Sequence, residues 1–261
     1  MANVLPYLRN TSTGLQAQVL YPFNRIISFK TFVQVFMNGS EQRWPSRPPL
    51  YTFIIPMKAL LSGDKGSWLT FFNTVKGMSQ VNLQLSLGAT TYSDLTLMSD
   101  DLGVTTQRPL QYDQQFTLRQ VKFPYASWTP STAPTSYPTL ACGAVAELPF
   151  LQVSTYLTSV NESKLGPRFA FSWYGSSLTN FPPGYLRMWK LTYPLLNDAD
   201  LATLEYFFTA CQGRLVSFSF TDPIDSTAYT HVRLDSDEME IKYMTKGQYS
   251  TTLSLRQTNG S

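Results

Sequence analysis

The chain has a single histidine, His231, so any Ser-His-Asp hydrolysis would have to be built on it. It stands in the alternating segment YTHVRL, with Asp222, Asp225 and Asp235 near it in sequence. No motif marks out a nucleophile, and an ordinary strand histidine is the simpler reading. One histidine also excludes His-rich zinc sites. Asp235, Asp237, Glu238 and Glu240 hold enough carboxylate to attract a hard cation. Their segment, DSDEME, lacks the ligand spacing of an EF-hand loop and reads as a solvated turn. Glu147 and Glu162 carry no mark of a glycosidase pair, whose chemistry rests on a set separation. Cys142 and Cys211 follow no metal-site spacing. Either reads as a buried apolar residue, with one disulfide left open. The expectation is a protein that is not an enzyme, with no catalytic residues, cofactor or metal.

Recognition is better represented than catalysis. Arg43, Trp44 and Arg47 precede a proline pair, and Arg and Trp combine rigid area with directed hydrogen bonds at interfaces. A packed proline loop is the alternative. Tyr125 and Trp128 offer a second candidate interface, and exposed aromatics of this kind also suit sugar binding.

Composition fits that emphasis. Among 261 residues only 14% are charged, while 14% are aromatic, and 17 prolines and 14 glycines imply many turns. With Thr, Val and Ser abundant, this reads as a mainly β fold with short helices. Sparse charge with many aromatics fits either surface covered by other subunits or an aromatic-rich core. The net charge of +3 comes without a basic run, which argues against dedicated nucleic-acid binding. No signal peptide and no apolar run of membrane-spanning length is visible.

The elements that must position these residues are a repeated pair. DLATLEYFFTACQGRLVSFSF, starting at Asp200, reads as an amphipathic helix, a glycine stop and a strand. DKGSWLTFFNTVKGMSQVNLQL, starting at Asp64, has the same design. Phe71, Phe72 and Gly77 match Phe207, Phe208 and Gly213 at a constant offset of 136 residues. Trp68 meets Leu204 and Asp64 meets Asp200. Phe53 and Ile55 meet Trp189 and Leu191 on the strand before. With one residue inserted, Leu118-Arg119-Gln120 meets Leu255-Arg256-Gln257. Duplication explains this agreement better than two independent strand–helix–strand units do. Trp68, Phe71, Phe72, Leu204, Phe207 and Phe208 are expected to anchor their helices on the sheet. In the first helix the apolar stripe is Trp68, Leu69, Phe72 and Val75. In the second it is Leu201, Leu204, Phe208 and Cys211, with Phe207 beside it. Asn197 should cap the second helix with Asp200 as its partner. Gly77 should take the left-handed position after the first helix, and Gly213 should terminate the second.

Around these helices we read strands at 29–36, 50–57, 81–87, 115–121, 151–157, 168–174, 185–193, 215–220, 229–234, 239–244 and 249–255. Residues 1–28 read as an arm and lead-in strand, 29–125 as the first module and 151–261 as the second. Between the modules, 126–150 form a Pro/Ser/Thr-rich linker or long loop, and 88–113 read as a mixed connection. The segment GSEQRWPSRPPL reads as irregular or an edge.

VQVFMNGSEQRW, PLYTFIIPM, WLTFFNTVKG and LEYFFTACQGRLVSFSFTDP together resemble the distal tail and minor tail proteins of long-tailed bacteriophages and gene transfer agents. The corresponding residues are Phe207, Phe208, Gly213, Phe218, Phe220 and Asp222. The resemblance implies two related tail-tube-like β-sandwich modules, each with a flanking helix. It implies a structural virion protein, assembled in the host cytoplasm, that forms a ring at the distal end of the tail tube. Such a ring joins the tube to tip or baseplate proteins and lets double-stranded DNA pass without specific binding. A hexamer is the favoured symmetry. Two modules per chain also fit a trimeric tail hub, and a β-sandwich module that binds glycan or host surface is the alternative of another class.

Overall fold

A computed structural model describes residues 6–35, 41–60, 62–75, 82–100, 103–108, 111–121, 131–141, 145–146, 150–153, 185–222 and 226–258. The described chain is mainly β, with two short helices and extensive antiparallel sheet. In chain order the elements are β1 (Tyr7–Asn10), β2 (Gln16–Gln18), β3 (Phe23–Val35), β4 (Glu41–Leu60), α1 (Ser62–Val75), β5 (Leu83–Leu87), β6 (Thr90–Leu97), β7 (Val104–Arg108) and β8 (Gln111–Gln120). There follow β9 (Val145–Ala146), β10 (Phe150–Val153), β11 (Tyr185–Leu196), α2 (Asp198–Cys211), β12 (Phe218–Thr221), β13 (Ala228–Leu234), β14 (Glu238–Thr245) and β15 (Gln248–Gln257).

Two compact units arise, each from three separated stretches. One takes residues 1–28, 48–129 and 240–250; the other takes 29–47, 130–239 and 251–261. Linear modules at 29–125 and 151–261 are the sequence expectation; the unit boundaries instead fall inside β3, β4, β14 and β15. In the first unit the strand order is β14-β3-β4-β8-β6-β5-β1-β2, with β7 also on β8. Within the expected arm and lead-in strand, residues 7–18 carry two sheet strands. β1 pairs with β2 on one side and β5 on the other, and Leu8 is wholly buried opposite Leu85. In the second unit β10, β11 and β15 are neighbours, β13 pairs with β15 and with β12, and β9 pairs with β11.

The repeat seen in sequence recurs in the pairing. Both helices have 14 residues and begin 136 residues apart, each directly after the strand that the sequence matches. Leu95, Thr96 and Leu97 oppose Gln120, Arg119 and Leu118 in the first unit. Val232, Arg233 and Leu234 oppose Gln257, Arg256 and Leu255 in the second. The β5–β6 pairing shifts register between Leu83 and Leu85, and the β12–β13 pairing shifts between Phe218 and Phe220. Each shift is a bulge with one left-handed residue, Asp94 at φ 55° and His231 at φ 57°. The carbonyl of each then accepts an N–H from just beyond a strand paired with its own, Val121 after β8 at 3.1 Å and Thr258 after β15 at 2.9 Å.

Alternation places the cores. On β8, Phe116, Leu118 and Gln120 are buried while Gln115 and Arg119 are exposed. On β11, Trp189, Leu191 and Tyr193 are buried while Lys190 is exposed, as the period-two pattern requires. Residues 88–113 are not a mere connection, because β6 and β7 lie there. The β6 bulge falls between Tyr92 and Leu95, and beyond it Leu95, Thr96 and Leu97 are buried in succession, so no alternation is visible. The proline-bearing segment is the start of β4, not an irregular stretch. Its prolines at 45, 48 and 49 stand ahead of the residues paired with β8, which begin at Thr52. Residues 168–174, expected as a strand, lie outside the described residues.

Candidate functional site

The expected helix anchors can be placed one by one. Trp68 and Phe71 are buried, with Trp68 4.7 Å from the Phe116 ring. Phe72 and Leu69 are only half-buried, so the inner face of α1 is Trp68, Phe71 and Val75, rotated from the expected stripe. In α2, Leu201, Leu204, Phe207, Phe208 and Cys211 are all buried. Phe208 packs on Phe29 and Phe207 on Phe218. Truncating such a buried Phe costs roughly 3–5 kcal/mol. Asn197 caps α2 as expected. Its side chain accepts the Asp200 N–H at 2.9 Å and donates to the Asp200 carboxylate at 3.0 Å. That carboxylate also accepts the Ala141 N–H at 2.9 Å.

Gly213 stands just past the end of α2, as expected, but it is the second left-handed residue there. Gln212 is the first, at φ 52° and ψ 49°, and Gly213 follows at φ 65°. The glycine is required for a further reason: a Cβ there would lie 2.5 Å from an Asp237 carboxylate oxygen and 3.2 Å from the Asp237 Cα. Gly77 lies outside the described residues.

Asp237 and the neighbouring charges form a polar cluster in the second unit. Asp237 accepts the Thr31 N–H at 2.9 Å, the Thr31 hydroxyl at 2.8 Å and the Arg214 N–H at 3.0 Å. The Arg214 guanidinium adds an ion pair at 3.3 Å. Burial alone would raise this carboxyl, but the donors outweigh it and hold Asp237 below the usual aspartate range. Beside it, Glu41 pairs with both Arg43 and Arg256, the latter at 2.9 Å. Arg43 also donates to the Arg214 carbonyl at 2.8 Å.

Arg43 was a candidate for external contact, yet its side chain is 3% exposed and spent on these internal partners. Trp44, next along β4, is 41% exposed. Alternation separates the two, one turned inward and one outward. Arg47 lies on β4. Tyr125 and Trp128 fall outside the described residues. Part of the expected linker is firmly held by its own chain. Thr135 and Tyr137 exchange two 2.8 Å backbone hydrogen bonds with Ser219, as a parallel bridge on β12. The Tyr137 ring meets Phe207 and Phe220, and its hydroxyl lies 2.7 Å from that of Tyr193.

The residues considered for chemistry do not converge. His231 is exposed at its bulge, Asp222 is wholly buried and accepts from Trp189 Nε1 at 2.8 Å, and Asp235 pairs with Arg256 at 3.4 Å. Glu240 accepts from Asn24 at 2.6 Å. Among the described residues no group of three His, Cys, Asp or Glu side chains is placed to hold a metal ion. Asp225, Glu147, Glu162 and Cys142 lie outside them. Cys211 is a free thiol. No helix among the described residues is long and apolar enough to cross a membrane.

Sequence reading missed the bulge and the charged cluster. The double Asp in DSDEME suggested a solvated turn, and only tertiary structure brings Thr31, Glu41 and Arg256 to it. No family model matches the chain, and no curated protein matches it in sequence.

Proposed function

We propose that this chain is a structural, non-enzymatic virion protein of a phage tail, built from two related tail-tube-like β-sandwich modules with flanking helices. Its subunits form a ring at the distal end of the tail tube, between tube and tip or baseplate, around the channel for the viral genome. The observation that carries this reading is the matched pair of strand–helix–strand units, alike down to strand register and a left-handed bulge residue. Two such units give one chain two similar surfaces, and similar surfaces repeated around an axis favour closed rings. A hexamer is favoured, with a trimer of pseudo-sixfold symmetry as the second form. The low charge of the chain suits a channel that releases DNA, since a strongly positive wall would retain it.

Native mass spectrometry of the purified full chain tests the reading. Six-chain or three-chain closed assemblies are expected. A persistent monomer that binds oligosaccharide through its exposed aromatics would replace it with the glycan-binding alternative.

A further inference from the structure

The shared register makes β5 and β12 equivalent strands. Leu83 and Leu85 oppose Leu95 and Tyr92 in the first unit, as Phe218 and Phe220 oppose Val232 and Tyr229 in the second. Each of these strands has a second edge, and in both units a segment from earlier in the chain fills it. In the first unit β1 lies there antiparallel, with Arg9 opposite Gln84 and Leu8 buried. In the second unit residues 135–137 lie there parallel, with Ser136 opposite Ser219. Two segments of unlike sequence and opposite direction thus serve one kind of edge. The repeat supplies a strand acceptor, and the source of its occupant is not part of the repeat.

Residues 135–137 are held as an added peptide strand is held. The Thr135 carbonyl accepts from the Ser219 N–H at 2.8 Å and from its hydroxyl at 3.1 Å. The Tyr137 N–H donates to the Ser219 carbonyl at 2.8 Å. The Tyr137 ring is the anchor, set against Phe207, Phe218 and Phe220. Thr132, Ala133, Thr135, Ser136 and Thr139 are exposed around it. Alternation turns the backbone nitrogens of Thr135 and Tyr137 toward β12 and those of Pro134 and Pro138 away, where a missing N–H costs no ladder bond. The same prolines favour an extended backbone before docking, which lowers the entropy lost on docking.

We propose that the β12 edge is a strand-acceptor site for this Ser-Tyr-Pro segment, taken in the isolated chain by residues 135–137 and in the assembled protein by the same residues of a second copy. Every copy carries a segment already seated on this edge, so exchange keeps each hydrogen bond and ring contact and creates no new surface. The inference deepens the ring proposal and rests on it only in requiring that chains associate.

Cross-linking of full-length chains tests the exchange. One chain carries Ser136→Cys and the other Ser219→Cys, both with Cys142→Ser. They are refolded together, oxidised and run on a denaturing, non-reducing gel. Bridge partners in a sheet lie within disulfide range, so a covalent pair holding one chain of each kind is expected. Absence of that pair, while a chain carrying both substitutions closes within itself, would overturn the exchange. Should oxidation link neither sample, dibromobimane, which joins thiols a few ångströms apart, replaces it. Thiols that it leaves unlinked in both samples overturn the site itself. Native mass spectrometry of the same samples separates this from the ring reading. Rings without the mixed pair end the exchange alone, and the mixed pair in open oligomers ends the ring alone.

Discussion

Asp237 ties together three parts of the second unit that are remote in sequence: Thr31 on β3, the turn after α2 at Arg214, and the entry to β14. Hydrogen bonds to a charged group contribute roughly 1.5–3 kcal/mol each, net of the water bonds they replace, and Asn keeps part of these contacts. Asp237→Asn should therefore destabilise the protein by about 1–3 kcal/mol near pH 7. The folded carboxyl titrates below its unfolded value, so the stabilisation is complete above the unfolded aspartate range, near about 3.9. It disappears as pH falls through the folded value. Urea denaturation of both proteins should show a gap at neutral pH that closes in acid; a gap independent of pH would assign the role to shape and not charge. Gly213 was legible in sequence as a helix stop, but its second duty, leaving space for Asp237, was not. Nothing local in CQGR announces a carboxylate that arrives from 24 residues downstream.

At the scale of elements, helices and core strands were legible because each shows its own period. Apolar residues at helical spacing marked α2, and Asn197 marked its start. Residues Tyr185–Tyr193 alternated cleanly enough to place Trp189, Leu191 and Tyr193 inside. α1 was located, but its face was not, since Phe71 and Phe72 are equal candidates until a sheet selects one. β6 escaped because its bulge breaks the period within eight residues. The left-handed residues in the two bulges carry a steric cost for any side chain. Asp94→Gly and His231→Gly should each stabilise by about 0.5–1 kcal/mol, through relief of that cost less the entropy glycine adds to the unfolded chain. Thermal unfolding of the two variants checks this, and the repeat predicts gains of like size. Loss of stability in both would mean that the side chains hold the bulges in place.

At the scale of the whole molecule, the repeated pattern was legible in sequence, while units assembled from separated stretches were not. Periodic matches survive at a fixed offset, whereas a unit assembled from three separated stretches leaves no mark in a linear reading. Surface roles were the least legible, because Arg43 and Trp44 look alike as interface residues until the strand turns one inward. Trp44 remains the exposed one. In the proposed ring it should be a contact, and Trp44→Ala should weaken assembly by about 2 kcal/mol, or roughly thirtyfold in concentration. Sedimentation across a dilution series would measure this; an unchanged midpoint would place Trp44 away from any subunit contact. Cys211 adds a different kind of consequence. Its sulfur lies at the end of α2 with no exposed surface, and burial pushes the thiol well above its ordinary value. Alkylating reagents reach it only when the helix leaves the sheet. The rate of adduct formation at this one residue is therefore a built-in clock for opening of the second unit, readable by peptide mass without any engineered label.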